Sequence, residues 1–249
     1  MLVAPSSARS TFRRVLDVLD APIDALFKDM EVTSGDGPQL DWTLQMEVEA
    51  LQAVTGRAAP GPFHLVGYSG GAAVALAFVA SHGDRVRTLT LIEPPWVGND
   101  SWSTSEAAFW EAYDRAMALT DAEAALEAFA VVMRGPGVPG PSILPRDPRQ
   151  VALLRSRLRI VGVGYRRAVL DRSALGSFNR PVYLPVGGRS TPRMAAAAAL
   201  LVGCFPNAQI EMYDDCDHFD LMRTPVKRMA LALASLWAQG DRPPVPSTV

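Results

Sequence analysis

Apolar positions along the chain switch between two spacings. Phe12, Val15, Leu16, Leu19, Ile23, Leu26 and Phe27 recur every three or four residues. That period predicts a helix over 11–28, divided near Pro22. Short apolar stretches at 2–5 and 30–33 read as strands, and 34–39 (SGDGPQ) has loop chemistry. Residues 41–55 read as a helix with Leu44, Val48, Leu51 and Ala53 inward, ended by Gly56. An unbroken apolar run at 63–67 fits a strand buried on both faces. A small-residue helix over 71–81 follows, then a strand at 86–92 stopped by Pro94 and Pro95. Strand, helix and strand within about 30 residues form a βαβ unit and imply a parallel sheet.

Strand patterns vanish between Trp96 and Phe178. Helical spacing covers 105–119, 121–133 and 150–171, with caps expected at 103–105 and at Thr120. A Pro/Gly-rich break spans 135–148, and Gly162 and Gly164 read as weak points in the third helix. The α/β pattern then resumes with a strand at 181–186, despite Pro185, and a helix over 192–202 that starts on Pro192. A strand at 209–213 and a helix over 225–239 complete it. The expected fold is α/β: a mostly parallel sheet of about six strands, flanked by helices. Residues 1–95 and 180–240 would form its core, 96–179 an all-helical insertion, and 241–249, with three prolines, a loose tail.

Composition narrows the partners. The 249 residues are 49% hydrophobic and 20% charged, with a net charge of −2. No basic stripe stands out, so nucleic acid is not expected. The longest apolar run, near 194–202, is too short to span a bilayer, and residues 1–20 lack the apolar core of a signal peptide. Cys204 and Cys216 have neither zinc-ligand spacing nor the makings of a disulfide framework. A soluble, cytoplasmic protein is expected, with no membrane partner; oligomeric state is left open.

The chemistry centres on Gly67-Tyr68-Ser69-Gly70-Gly71, a G-x-S-x-G match. The bare motif arises by chance on the order of once in ten chains of this size. Its setting says more: an apolar strand runs in and a helix runs out, as a nucleophile elbow requires. Such a turn strains the serine backbone and leaves no room for neighbouring side chains, which Gly67 and Gly71 accommodate. The Gly70 amide then points where an oxyanion would form. A serine nucleophile needs a base, and the chain has three histidines. His64 reads as a strand-edge residue and His82 as a helix-terminal one. His218 lies in the polar loop Asp214-Asp215-Cys216-Asp217-His218-Phe219, after the last strand, at the edge where parallel sheets build their sites. It is the candidate base.

With these parts the chain resembles the α/β-hydrolase superfamily, of the serine-nucleophile, helical-cap type. The resemblance rests on the elbow, on Leu91-Ile92-Glu93-Pro94-Pro95, on the helical insertion, on Gly187-Gly188-Arg189-Ser190 and on the histidine loop. The order Ser…His agrees with that family. The loop that usually carries the family's acid offers no carboxylate here, and Ser190 or Thr191 reads as a helix N-cap instead. Some members place the acid after the strand that follows the elbow helix, and Glu93 occupies that place. The start of the chain looks like the family's third strand, so a second oxyanion amide is expected from Ser6 or Ser7. The insertion would be a lid whose Trp96, Trp102 and Trp110, with Tyr68 beside the serine, line an apolar pocket. No cofactor and no metal is implied. The activity expected is cleavage of a small-molecule ester, thioester or lactone through an acyl-enzyme. Acyl transfer, cyclisation or lyase chemistry at the same site, and a non-catalytic binding protein on this fold, are the alternatives.

Overall fold

The computed structural model describes residues 1–19, 23–35, 37, 39–100, 102–135, 137–140 and 142–241. The chain runs β1 (Leu2–Ala4), α1 (Ala8–Leu16), β2 (Phe27–Asp29), α2 (Leu44–Ala58), β3 (Phe63–Tyr68), α3 (Gly70–His82) and β4 (Val86–Ile92). Three helices follow, α4 (Thr104–Ala118), α5 (Ala122–Met133) and α6 (Pro148–Arg167). The chain ends through β5 (Val182–Gly187), α7 (Pro192–Cys204), β6 (Ala208–Tyr213) and α8 (Val226–Gly240). The six strands form one sheet in the order β2-β1-β3-β4-β5-β6, and every neighbouring pair is parallel.

Strand side chains alternate between the two faces, and both faces are covered. Val3, Leu65, Leu89 and Leu91 pack with α2, α3 and α7, whereas Leu2, Val66 and Ile92 pack with Phe12 and Val15 of α1 and Met229 and Leu233 of α8. This two-sided burial is why β3 reads as an apolar run rather than an alternating one.

Pro185 sits inside β5 opposite Glu211 of β6. Val182 donates its N–H to Asn207 of the β6 side, while the Pro181 carbonyl accepts from Leu89 of β4. Residues at odd positions of β5 therefore face β4. The β4–β5 ladder ends at Thr90 and Tyr183, so Pro185 faces a gap where no ladder donor is needed.

Several local expectations are corrected. The second strand is Phe27–Asp29, not 30–33, and Glu31–Thr33 forms a 3-10 turn. Helix α1 stops at Leu16, well short of that strand. Gly56 does not end α2, which continues to Ala58. Asp121, not Thr120, caps α5, its carboxylate accepting from the Ala124 N–H at 2.8 Å. Thr191 stands at the start of α7 without a side-chain cap bond. Gly162 and Gly164 are close-packing positions rather than weak points: a Cβ there would lie 2.6 Å from the Tyr113 ring and 2.4 Å from the Trp42 ring. Pro22 and the tail beyond Asp241 lie outside the described residues.

Candidate active site

Ser69, Glu93 and His218 each follow the carboxyl end of a parallel strand: β3, β4 and β6 respectively. Ser6 and Ser7 follow β1, and the strand order reverses between β1 and β3, so the four loops meet at a topological switch point. Among the described residues, the non-glycine residues with positive φ are Ser7 (48°), Ser69 (52°) and Glu93 (46°). All three lie in these loops. Each such conformation costs on the order of 1–3 kcal/mol and persists only where its surroundings fix it.

The elbow shows what fixes Ser69. Its N–H bonds to the Ile92 carbonyl at 2.9 Å, tying it to β4. A Cβ on Gly67 would meet the Ala72 Cα at 2.5 Å, and one on Gly71 would meet the Val3 carbonyl oxygen at 2.2 Å. Strand β1 and helix α3 therefore approach to a separation that only glycine allows. Gly70 opens α3, where the first amides have no intrahelical acceptor.

The three side chains are joined in a line. His218 Nε2 lies 3.0 Å from Ser69 Oγ, and His218 Nδ1 lies 2.6 Å from Glu93 Oε2. Glu93 is 1% and His218 2% exposed, so water competes little for either contact. The other Glu93 oxygen accepts the Gly187 N–H at 2.8 Å, inside the gap that Pro185 borders. The Tyr68 ring stacks on the imidazole at 5.3 Å, and its hydroxyl donates to the His218 carbonyl at 2.9 Å. Burial pushes the Tyr68 phenol well above its usual range, with the Glu93 charge adding to the effect. It is therefore a neutral hydrogen-bond donor at neutral pH. His64 and His82 are held elsewhere, by Thr88 and Asp241 and by Ser81 and Phe78.

A cavity of about 280 Å³ opens on Ser69 and His218. Ser6, Tyr68, Phe129, Arg134, Leu158 and Phe219 are among its walls. Trp96, Trp102 and Trp110 are not. Trp96 is fully buried and stacks on Tyr165, Trp110 is buried beside Phe109, and Trp102 lies partly exposed over Trp110. These rings pack the insertion instead of lining the cavity. Sequence does not single out these wall residues: helical spacing places Phe129 and Leu158 on a face without saying what it meets, and Arg134 lies just past the end of α5, where no pattern marks it. A larger groove of about 970 Å³ between α2, α3 and α6 contains none of Ser69, Glu93 or His218. Among the described residues, no cluster of His, Cys, Asp and Glu is arranged to hold a metal, and no helix is long and apolar enough to cross a membrane. Cys204 and Cys216 are free thiols.

A serine elbow, a buried histidine–carboxylate pair and a parallel sheet with a helical insertion define an α/β-hydrolase fold. The model of the alpha/beta hydrolase family matches residues 9–232, and the chain belongs to that family. No curated protein matches the sequence. Among solved structures, a bacterial membrane phospholipase A is similar over 97% of this chain and 79% of its own, with a TM-score of 0.73 at 16% identity. MenH from S. aureus is similar over 97% and 93%, with a TM-score of 0.69 at 15% identity. An esterase from Thermogutta terrifontis is similar over 97% and 90%, with a TM-score of 0.62 at 16% identity. At these identities the likeness is one of fold.

Proposed function

We propose that the protein is a serine hydrolase that cleaves a small-molecule ester, thioester or lactone. The observation that carries this reading is the buried hydrogen-bonded line Ser69–His218–Glu93 at 3.0 and 2.6 Å. Ser69 Oγ attacks the acyl carbonyl while His218 Nε2 takes its proton. Glu93 holds the proton on Nδ1, leaving Nε2 free to accept, and balances the imidazolium that forms. The Gly70 N–H and a backbone amide near Ser6 hold the oxyanion. His218 returns the proton to the leaving group, and water releases the acyl group by the reverse steps. The insertion acts as the lid over this cavity, and no cofactor takes part.

The test is covalent. A fluorophosphonate should label Ser69, located by peptide mass spectrometry, and labelling should vanish in His218→Ala. Glu93→Gln should lose turnover by about 10³-fold or more, because the wrong imidazole tautomer is then favoured. Absence of labelling in the wild-type protein would overturn the reading, and Glu93→Gln activity within a few-fold of wild type would remove Glu93 from it.

A further inference from the structure

The imidazole of His218 is held by Glu93 and Tyr68, but its backbone neighbours on both sides are held from the insertion. Asp217 is 1% exposed. One of its oxygens accepts the N–H groups of Phe219 at 2.8 Å and Asp220 at 3.0 Å, closing a turn around His218. The other accepts Arg134 Nε at 2.9 Å, in a buried ion pair. The Arg134 guanidinium also lies 4.8 Å over the Phe219 ring. Arg134 thus grips residues 217 and 219, on either side of the histidine.

Arg134 also belongs to two other parts of the molecule. It is the residue that ends α5, and its backbone bridges to Ser190 in the loop between β5 and α7, next to the Gly135 N–H bond to Arg189 at 2.6 Å. Its side chain, with that of Phe219, lines the cavity at Ser69. Insertion, β5–α7 loop, histidine loop and cavity wall therefore share one arginine.

We propose that Arg134 is a positioning residue: through Asp217 and Phe219 it sets the place of the His218 imidazole against Ser69 and couples it to the seating of the insertion. A nucleophile–base contact of 3.0 Å tolerates little displacement, since a misplacement of about 1 Å can cost on the order of 10²-fold in rate. The planar guanidinium suits this task, because Nε can bond Asp217 while the plane stacks on Phe219.

Two measurements test it, with a matched control. Arg193 and Glu106 form a buried ion pair between the insertion and the core, at 2.6 and 3.1 Å. Arg193 also donates to the Pro94 carbonyl at 2.9 Å, next to Glu93, so the control is made at Glu106, whose carboxylate accepts from Trp110 and Arg193. Glu106→Gln, which leaves the Arg193 bond to Pro94 available, therefore reports what merely loosening the insertion does. The first measurement is NMR of the histidine ring nitrogens in ¹⁵N-labelled protein, which holds three histidines. The Nδ1–H signal of His218, identified by its loss in His218→Ala, should shift or broaden in Arg134→Met and Asp217→Asn and stay in place in Glu106→Gln. An unchanged signal in Arg134→Met, or equal loss in Glu106→Gln, overturns the proposal.

The second measurement is turnover of p-nitrophenyl acetate. Here kcat should fall at least about tenfold in Arg134→Met while KM changes less than about threefold, with partial recovery in Arg134→Lys. The double variant should do no worse than the poorer single variant, as expected if Arg134 acts through Asp217. Should Arg134→Met fail to fold, Arg134→Lys and Asp217→Asn give the same comparison. The kinetic arm rests on the serine-hydrolase reading, whereas the NMR arm does not. Unlabelled, inactive wild-type protein would sink that reading and leave the NMR result to decide on Arg134.

Discussion

Ser69 occupies a conformation, φ 52° and ψ −124°, that an L residue reaches only under constraint, and the constraint is steric. Helix α3 is pressed against β1 so closely that a single methyl at position 71 would overlap the Val3 carbonyl. Gly71→Ala must therefore push α3 off the sheet. Its expected cost is about 3 kcal/mol or more, or outright loss of folded protein, read by urea unfolding. At Gly56, in α2, an added methyl would have nothing within 4 Å. Gly56→Ala should instead stabilise by about 0.5–1 kcal/mol, because alanine loses less backbone entropy in a helix. The opposite signs separate a packing glycine from an incidental one. The elbow is legible from sequence because its glycines and serine fall within five residues, and His218 because it stands in a polar loop just past the last strand. Glu93 is marked by the resemblance to the family, which in some members places an acid after the strand that follows the elbow helix. Arg134 is not: it meets Asp217 across 83 residues of sequence, and no local pattern marks such a contact. The three tryptophans mislead because aromatic composition does not distinguish rings that face a cavity from rings that pack a helix.

At the scale of elements, the insertion owes its seating to a few polar joints. Asn99 is the clearest. Its Nδ2 donates to the carbonyls of Tyr165, Arg166 and Ala168 at 2.9, 3.1 and 2.7 Å, at the C-terminal end of α6, and its Oδ1 accepts the Trp96 Nε1–H. These carbonyls belong to the end of the helix, where the i+4 amides run out; that of Tyr165 also accepts the Ala168 N–H at 3.2 Å. Asn99→Ala should cost about 1–3 kcal/mol for the stranded groups. Asn99→Asp should cost more, since a carboxylate would face carbonyl oxygens and the negative end of the helix dipole. Chemical denaturation gives the ranking, and hydrogen exchange over residues 160–168 gives its location. The joint explains why α6 ends at Arg167 although the apolar spacing suggests continuation to 171: the terminus is set by a side chain 66 or more positions away. Elements with a strong signal of their own, the strands β3 and β4 bounded by Gly and Pro and the helical period of α8, are readable to within a few residues. The three-residue strand Phe27–Asp29 is not, because a segment that short carries no period and is fixed by its register with β1.

For the whole molecule, the decisive quantity is the space left over Ser69 once the insertion is seated. The cavity there is about 280 Å³, at the lower edge of the roughly 300–1,000 Å³ typical of small-molecule sites. Phe129 of α5 and Leu158 of α6 form part of its wall, and both depend on Tyr113 of α4. The Phe129 ring meets the Tyr113 ring edge-on at 5.7 Å, and the Leu158 carbonyl accepts the Tyr113 hydroxyl at 2.5 Å. The wall is thus braced by three helices at once and is not free to retreat for a longer chain. Under the hydrolase reading, acetyl and butyryl esters of p-nitrophenol should be turned over with higher kcat/KM than the decanoyl ester, by about tenfold or more, as pocket size alone can discriminate. Leu158→Ala removes bulk at the wall while leaving its backbone carbonyl on Tyr113. It should move the optimum toward longer acyl groups and leave the fluorophosphonate labelling of Ser69 close to wild type. A preference for the decanoyl ester in the unmodified protein would mean that the insertion lifts away before chemistry, and that the seated cavity is not the one that selects substrate.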